Sequence, residues 1–189
     1  YGGILFGIVA CSDFAPGLLS PGRIEHLLAL PLQRWHLLAG TFMGVMTLAL
    51  GGTVYAAGGL TLIFGVKTGY WTVGPLIAGG LACVGFAAVY AVMLTTATLV
   101  RSAALCSAAG FVLLVGGILA GFEIDSAADA GCTVTLVLPR LSALASRAAD
   151  LASSTPLEKG SLGMLLGGVL VFGLGALSVG FWHFEGKDC

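Results

Sequence analysis

The stretch LLAGTFMGVMTLALGGTVYAAGGLTLIFGV, residues 37–66, runs for 30 residues without a charged side chain and is closed by Lys67-Thr68-Gly69-Tyr70-Trp71. A helix needs about 20 apolar residues to cross a hydrocarbon core ~30 Å thick, so this segment crosses with length to spare and a tilt. A cation and two aromatics, the residue types that sit at headgroup level, mark where it leaves the membrane. Working outward, residues 72–100 are again uncharged and end at Arg101, and residues 102–122 follow at once, giving two spans joined by a tight turn. Residues 161–182 form the last uncharged span. Residues 1–11 are apolar but too short to cross alone and read as the end of a helix. The expected fold is an all-α integral membrane protein, a helical bundle of four complete spans and one partial span.

Composition agrees with that reading. Of 189 residues, 58% are hydrophobic and 9% charged, with mean hydropathy +1.03, whereas soluble domains carry about 25% charge. Eight Lys and Arg against nine Asp and Glu leave a net charge of −1 and no basic surface for a phosphate backbone, so nucleic acid is not an expected partner. The spans and their short loops leave no length for a catalytic or nucleotide-binding domain. The sequence contains no Asn, so no N-glycosylation acceptor exists. The cysteines, Cys11, Cys83, Cys106, Cys132 and Cys189, make no Cys-x-x-Cys pattern.

Asp, Glu, Lys, Arg and His are missing from the interiors of all four spans. Ion- and proton-coupled carriers need such groups at depth to bind and release the coupling ion, which disfavours a secondary transporter or pump acting alone. The spans do hold hydroxyls, of which Thr47, Tyr55, Tyr90 and Thr95 are candidates for a substrate path; the competing reading is that each bonds back to its own helix. Lys67-Thr68 is not a phosphate-binding loop, because Val66 stands where that motif requires glycine. His26, His36 and His183 have no second ligand at helical spacing, so no metal site is expected. Pairs at four-residue spacing, Gly3/Gly7, Gly40/Gly44, Gly117/Gly121 and Gly163/Gly167, would permit close helix contacts.

Charge gathers in residues 12–36, 123–160 and the tail 183–189. Within the second of these, Leu141, Leu144, Ala145, Ala148, Leu151 and Ala152 fall on one helical face opposite Ser142, Ser146, Arg147 and Asp150, which predicts an amphipathic helix on the membrane surface. Orientation cannot be taken from basic residues: Arg23, Arg34, Arg101 and Lys187 lie on one side, Lys67, Arg140, Arg147 and Lys159 on the other.

In residues 12–36 the run Pro21-Gly22-Arg23-Ile24-Glu25-His26-Leu27-Leu28-Ala29-Leu30-Pro31 places Ile24, Leu27 and Leu28 on an apolar face and Arg23, Glu25 and His26 on a polar one, with Pro31 as the stop. The periodicity alone predicts a short interfacial helix. The run, followed by Arg34 and Leu37-Leu38-Ala39-Gly40, resembles the cytoplasmic element of the membrane subunits, or permeases, of type-2 ATP-binding-cassette exporters, a group that includes the permeases linked to multicopper-enzyme maturation. The ending Phe184-Glu185-Gly186-Lys187-Asp188 is similar to that family's terminal pattern. Thr41 and the Leu18-Leu19 pair depart from it, where the family often has a lysine and an acidic residue.

The resemblance implies six helices, of which five are seen here with the first partial. It places 12–36 and 183–189 in the cytoplasm and 123–160 outside, in a bacterial cytoplasmic membrane. It also implies that Arg23, Ile24, Glu25, His26, Leu27, Leu28, Leu30 and Pro31 form a coupling helix for two separate ATPase subunits, which would hold ATP and Mg. A second permease, the same or different, would complete the assembly in membrane lipid, and this chain would have no enzyme activity or cofactor of its own. The alternatives are a haem-export-type membrane component and a non-transporting scaffold or assembly subunit. In intact cells an impermeant thiol reagent should label Cys132 from outside and Cys189 only from within; labelling of both from one side contradicts this topology.

Overall fold

The computed structural model describes residues 1–18, 34–69, 71–100, 102–122, 141–152 and 159–185. Among them are the helices α1 (Gly2–Cys11), α2 (Phe14–Leu18), α3 (Arg34–Thr68), α4 (Gly74–Val100), α5 (Ala103–Phe122), α6 (Leu141–Ala152) and α7 (Lys159–Glu185), with no strand in the described residues. Four stretches, Trp35–Thr68, Gly74–Val100, Ala103–Ala120 and Leu162–His183, are long and apolar enough to cross a membrane. Hydrocarbon offers no water to a free N–H or C=O, so each crossing segment closes its own hydrogen bonds as a helix. The described residues are thus those of a helical, multi-pass membrane protein.

Helix ends follow local chemistry. Gly69 adopts φ +71 and donates its N–H to the Gly65 carbonyl at 3.0 Å, a left-handed cap that stops α3. Trp71 then folds back over Gly65, where an added Cβ would lie 2.8 Å from the indole Cδ2. Pro75 stands in the first turn of α4, where its missing N–H costs nothing.

The centre of the bundle is α4. Its residues Val89, Tyr90, Ala91 and Ala97 are wholly buried, and Ala88, Met93, Leu94 and Thr98 nearly so. Around it, α3 runs antiparallel, with Phe42 beside Tyr90 and Thr53 beside Gly79. Likewise antiparallel is α5, which sets Gly110 against Met93 and Cys106 in a cluster with Ala97. By contrast α7 runs parallel, Gly173 meeting Ala88 and Gly180 meeting Thr95. The seven-residue spacing on both helices is that of a left-handed crossing of roughly 20°. Parallel to α4 as well, α1 seats Gly7 under the Phe86 ring, and Ala15 of α2 joins the cluster of Ala97.

The glycines that make these contacts are mostly not those of the four-residue pairs. Gly3, Gly40, Gly44, Gly163 and Gly167 face open space, and Gly7 alone of those six in the first, second and fourth pairs has a close neighbour. In this bundle the contacts recur every seven residues along α4 and α7, a spacing that a search for pairs four apart does not detect.

The amphipathic helix α6 forms, but its apolar face meets protein. Leu141 joins the cluster of Phe86 and Tyr90, while Leu144 and Ala148 pack with Leu81, Val84 and Leu166. Gly85 provides the socket: a Cβ there would lie 3.3 Å from Leu141 Cδ2 and 3.6 Å from Leu144 Cδ2. At ~1.5 Å per residue, Gly85 is about 16 Å along α4 from Gly74, near mid-span. The apolar face expected to rest on lipid packs against α4 instead, for a physical reason: the missing side chain at Gly85 leaves room for two leucines. The polar face carries Arg147 and Asp150, 4.0 Å apart across one turn, a half-exposed pair that contributes little. Replacing Gly85 with Val should undock α6 and lower amide-exchange protection over residues 141–152 by about 30-fold, the equivalent of ~2 kcal/mol. Ser146→Ala, on the exposed face, should leave that protection unchanged.

Candidate functional site

The coupling residues named from sequence, Arg23, Ile24, Glu25, His26, Leu27, Leu28, Leu30 and Pro31, lie outside the described residues. Their flanks do not. Ala15 and Leu38 are both buried in one cluster with Leu94, Ala97 and Cys106, and Phe42, Leu177 and Phe181 pack on it. The parts of the chain before and after 19–33 thus meet at one end of the bundle, the end where α3 begins. Trp35 stacks on His36 there, ring centroids 3.8 Å apart, and Asp13, between α1 and α2, is exposed.

A recess opens at the same end between α3, α4 and α7. It is a shallow, closely packed groove lined by Leu38, Leu94, Thr95, Thr98, Leu177, Gly180 and Phe181. Its hydroxyls are already engaged. The single Thr95 proton is shared between the Ala91 carbonyl at 2.9 Å and the Ala176 carbonyl of α7 at 2.8 Å, and Thr98 donates to the Thr95 carbonyl at 2.7 Å. Gly180 lets α7 come this near: a Cβ there would stand 2.9 Å from Thr95 Oγ1. The recess accordingly presents apolar surface, and its polar atoms hold the bundle together.

The four hydroxyl residues proposed as a substrate path do not line one surface. Thr47 donates to Met43 O at 2.8 Å on an exposed face of α3. Tyr55 is 86% exposed, and 13 residues of helix, roughly 20 Å, separate it from Phe42 at the level of Tyr90. Tyr90 is 0% exposed at the bundle centre, and Thr95 ties α4 to α7. Helical spacing explains the scatter, since hydroxyls on a span take whichever side their position gives them, and most bond back to their own carbonyls.

Two features were not found from sequence. Cys83 reaches across to α3, its Sγ 3.0 Å from Thr53 Oγ1, whose own proton goes to the Ala49 carbonyl at 2.8 Å. Tyr90 is packed between the rings of Phe42 and Phe86, with centroids 6.0 and 5.9 Å away, and its hydroxyl is buried without a partner. Neither has a local sequence signal, because both depend on which helix faces which. Among the described residues no three His, Cys, Asp or Glu side chains stand together as metal ligands. Comparison with family models, with curated proteins and with solved structures gives no match to this chain.

Thr95→Val should weaken the α4–α7 contact by about 0.6 kcal/mol, the average for such bonds between membrane helices. Gly180→Ala should cost more, since its Cβ forces Thr95 aside. Gly167→Ala, which faces open space, should cost nothing; unfolding of the three variants in mixed micelles gives the order.

Proposed function

We propose that this chain is the membrane subunit of an ATP-binding-cassette exporter-type complex, working with a second permease and two ATPase subunits in a bacterial cytoplasmic membrane. The observation that carries the reading is that Ala15 and Leu38 belong to one buried cluster. It fastens both sides of the segment 19–33 to the end of α4 that also holds Leu94, Ala97 and the recess. A force on that segment would act on the hub of the bundle and not on a peripheral helix. The sequence supplies the other half of the argument: Ile24, Leu27 and Leu28 for an apolar groove, and Arg23, Glu25 and His26 for charged partners.

On this reading ATP and Mg belong to the partner subunits, and this chain converts their closure into a change of helix packing. It has no reaction of its own to catalyse. The substrate would be a molecule tolerated by an apolar, hydroxyl-bearing interior, since the spans offer no charge to bind an ion. A scaffold or assembly subunit and a haem-export-type component are the competing readings: the haem-export type shares the Leu27–Pro31 pattern but lacks the ending Phe184 to Asp188, and ATP turnover that responds to this chain separates an exporter from a scaffold.

Truncating Leu27 and Leu28 together to Ala removes about 1.5–3 kcal/mol of apolar contact for each leucine buried against a partner. The double variant should keep its membrane insertion and subunit stoichiometry while efflux from proteoliposomes collapses. ATP hydrolysis should fall to the rate of the isolated ATPase or run without transport. Unchanged efflux at normal stoichiometry would show that this helix does not carry the stroke.

A further inference from the structure

The seams around α4 are of two kinds. Those with α3 and α7 carry hydrogen bonds between helices, Thr53 with Cys83 on one side and Thr95 with the Ala176 carbonyl on the other. Toward α1 and α5, no side-chain hydrogen bond reaches another helix among the described residues: Ser12 bonds to Val9 O and Ser107 to Ala104 O, each within its own stretch of chain. That seam is held by shape alone. Phe86 lies over Gly7, and Met93 fits against Gly110, where a Cβ would be 2.8 Å from its sulfur.

Beside that seam, where α3 also packs on α4 through Phe42 and Val45, lies the buried hydroxyl of Tyr90, which has no partner. Each described threonine of the spans bonds to a carbonyl of its own helix, so Tyr90 is the exception in this bundle. A buried phenol left unpaired is a cost to the state that buries it, and a state in which it meets an acceptor recovers that cost. In its cluster stand Ile8 and Cys11 of α1, Leu114 of α5, Val45 and the Phe42 ring of α3, and Met93 and the Phe86 ring of α4. Cys11 of α1 belongs to the same cluster as Tyr90, and Cys106 of α5 to the cluster of Leu94 and Ala97 further along α4.

We propose that the seam between α4 and the α1–α5 pair is the one that opens, and that the Tyr90 hydroxyl there donates to a small, largely apolar molecule carrying one hydrogen-bond acceptor. The lining of rings, aliphatic side chains and sulfur suits such a molecule, and the lone donor selects it over a pure hydrocarbon. The pinned seams with α3 and α7 stay closed as the unpinned one parts. This deepens the transport reading and rests on it for its purpose, but its test uses this chain alone in lipid, so failure here leaves the ATPase partnership standing.

Three native thiols report the motion. Cys11 and Cys106 flank the unpinned seam, and Cys83 lies in the pinned one; all three are free and buried. In vesicles of the full chain, methyl methanethiosulfonate should modify Cys11 and Cys106 at least tenfold faster than Cys83, resolved by mass spectrometry of the peptides. Acetophenone should slow modification of Cys11 and Cys106 several-fold more than isopropylbenzene, which matches its shape without the acceptor. In Tyr90→Phe the two compounds should protect equally, and modification of both thiols without either should be slower than in the parent chain, because the closed seam no longer holds an unpaired hydroxyl. Retained helicity and elution volume show that the variant is folded. Modification of Cys83 as fast as the others, no modification of any of the three, or equal protection by the two compounds in the parent chain would each overturn the proposal.

Discussion

Close approach of α7 to α4 is the constraint on which the bundle depends. In lipid no gain comes from hiding apolar side chains from other apolar material, so helices stay together through van der Waals contact and hydrogen bonds. Gly173 and Gly180 strip side chains from α7 where Ala88 and Thr95 face it, and the Thr95 proton then reaches the Ala176 carbonyl at 2.8 Å. With α7 placed, α4 is buried on that side. The α3 contact at Thr53, Gly79 and Cys83 closes a second side, and α1, α5 and α6 fill the rest. Because each neighbour touches α4 more than it touches any other helix, a shift of α4 would be felt by all of them.

Polar atoms in this core are therefore structural first. Thr95 and Thr98 edge the recess at the Arg34 end, yet both already serve backbone carbonyls. Cys83 and Thr53 do the same work between α3 and α4. Tyr90 differs in having its polar atom buried and idle, and the difference between a satisfied and an idle hydroxyl separates the fixed part of the molecule from the part that has another state to adopt.

The spans were legible because charge is absent from long runs such as 37–66 and 72–100, and hydrocarbon permits nothing but helix there. The amphipathic period of 141–152 was legible for the same kind of reason, but not its neighbour: a helix with one apolar face can lie on lipid or on protein, and Gly85, over 50 residues away in sequence, decided for protein. Glycine contacts were misassigned because spacing within one helix says which side a residue occupies and nothing about which helix occupies that side. The hydroxyl set Thr47, Tyr55, Tyr90 and Thr95 scattered for that reason as well. The segment bearing Arg23, Glu25, Leu27 and Leu28 lies outside the described residues, and its role rests on sequence pattern and on the clustered Ala15 and Leu38.

The central claim is that this bundle converts the work of separate ATPase subunits into movement. Purification of the chain from its membrane, followed by ATP turnover of any ATPase recovered with it, measured in nanodiscs with and without the chain at equal ATPase concentration, tests that claim most directly. The account predicts a turnover rate that changes several-fold when the chain is present and returns to the solitary value when it is removed. A rate indifferent to the chain, or purification of the chain with no ATPase attached, would contradict it.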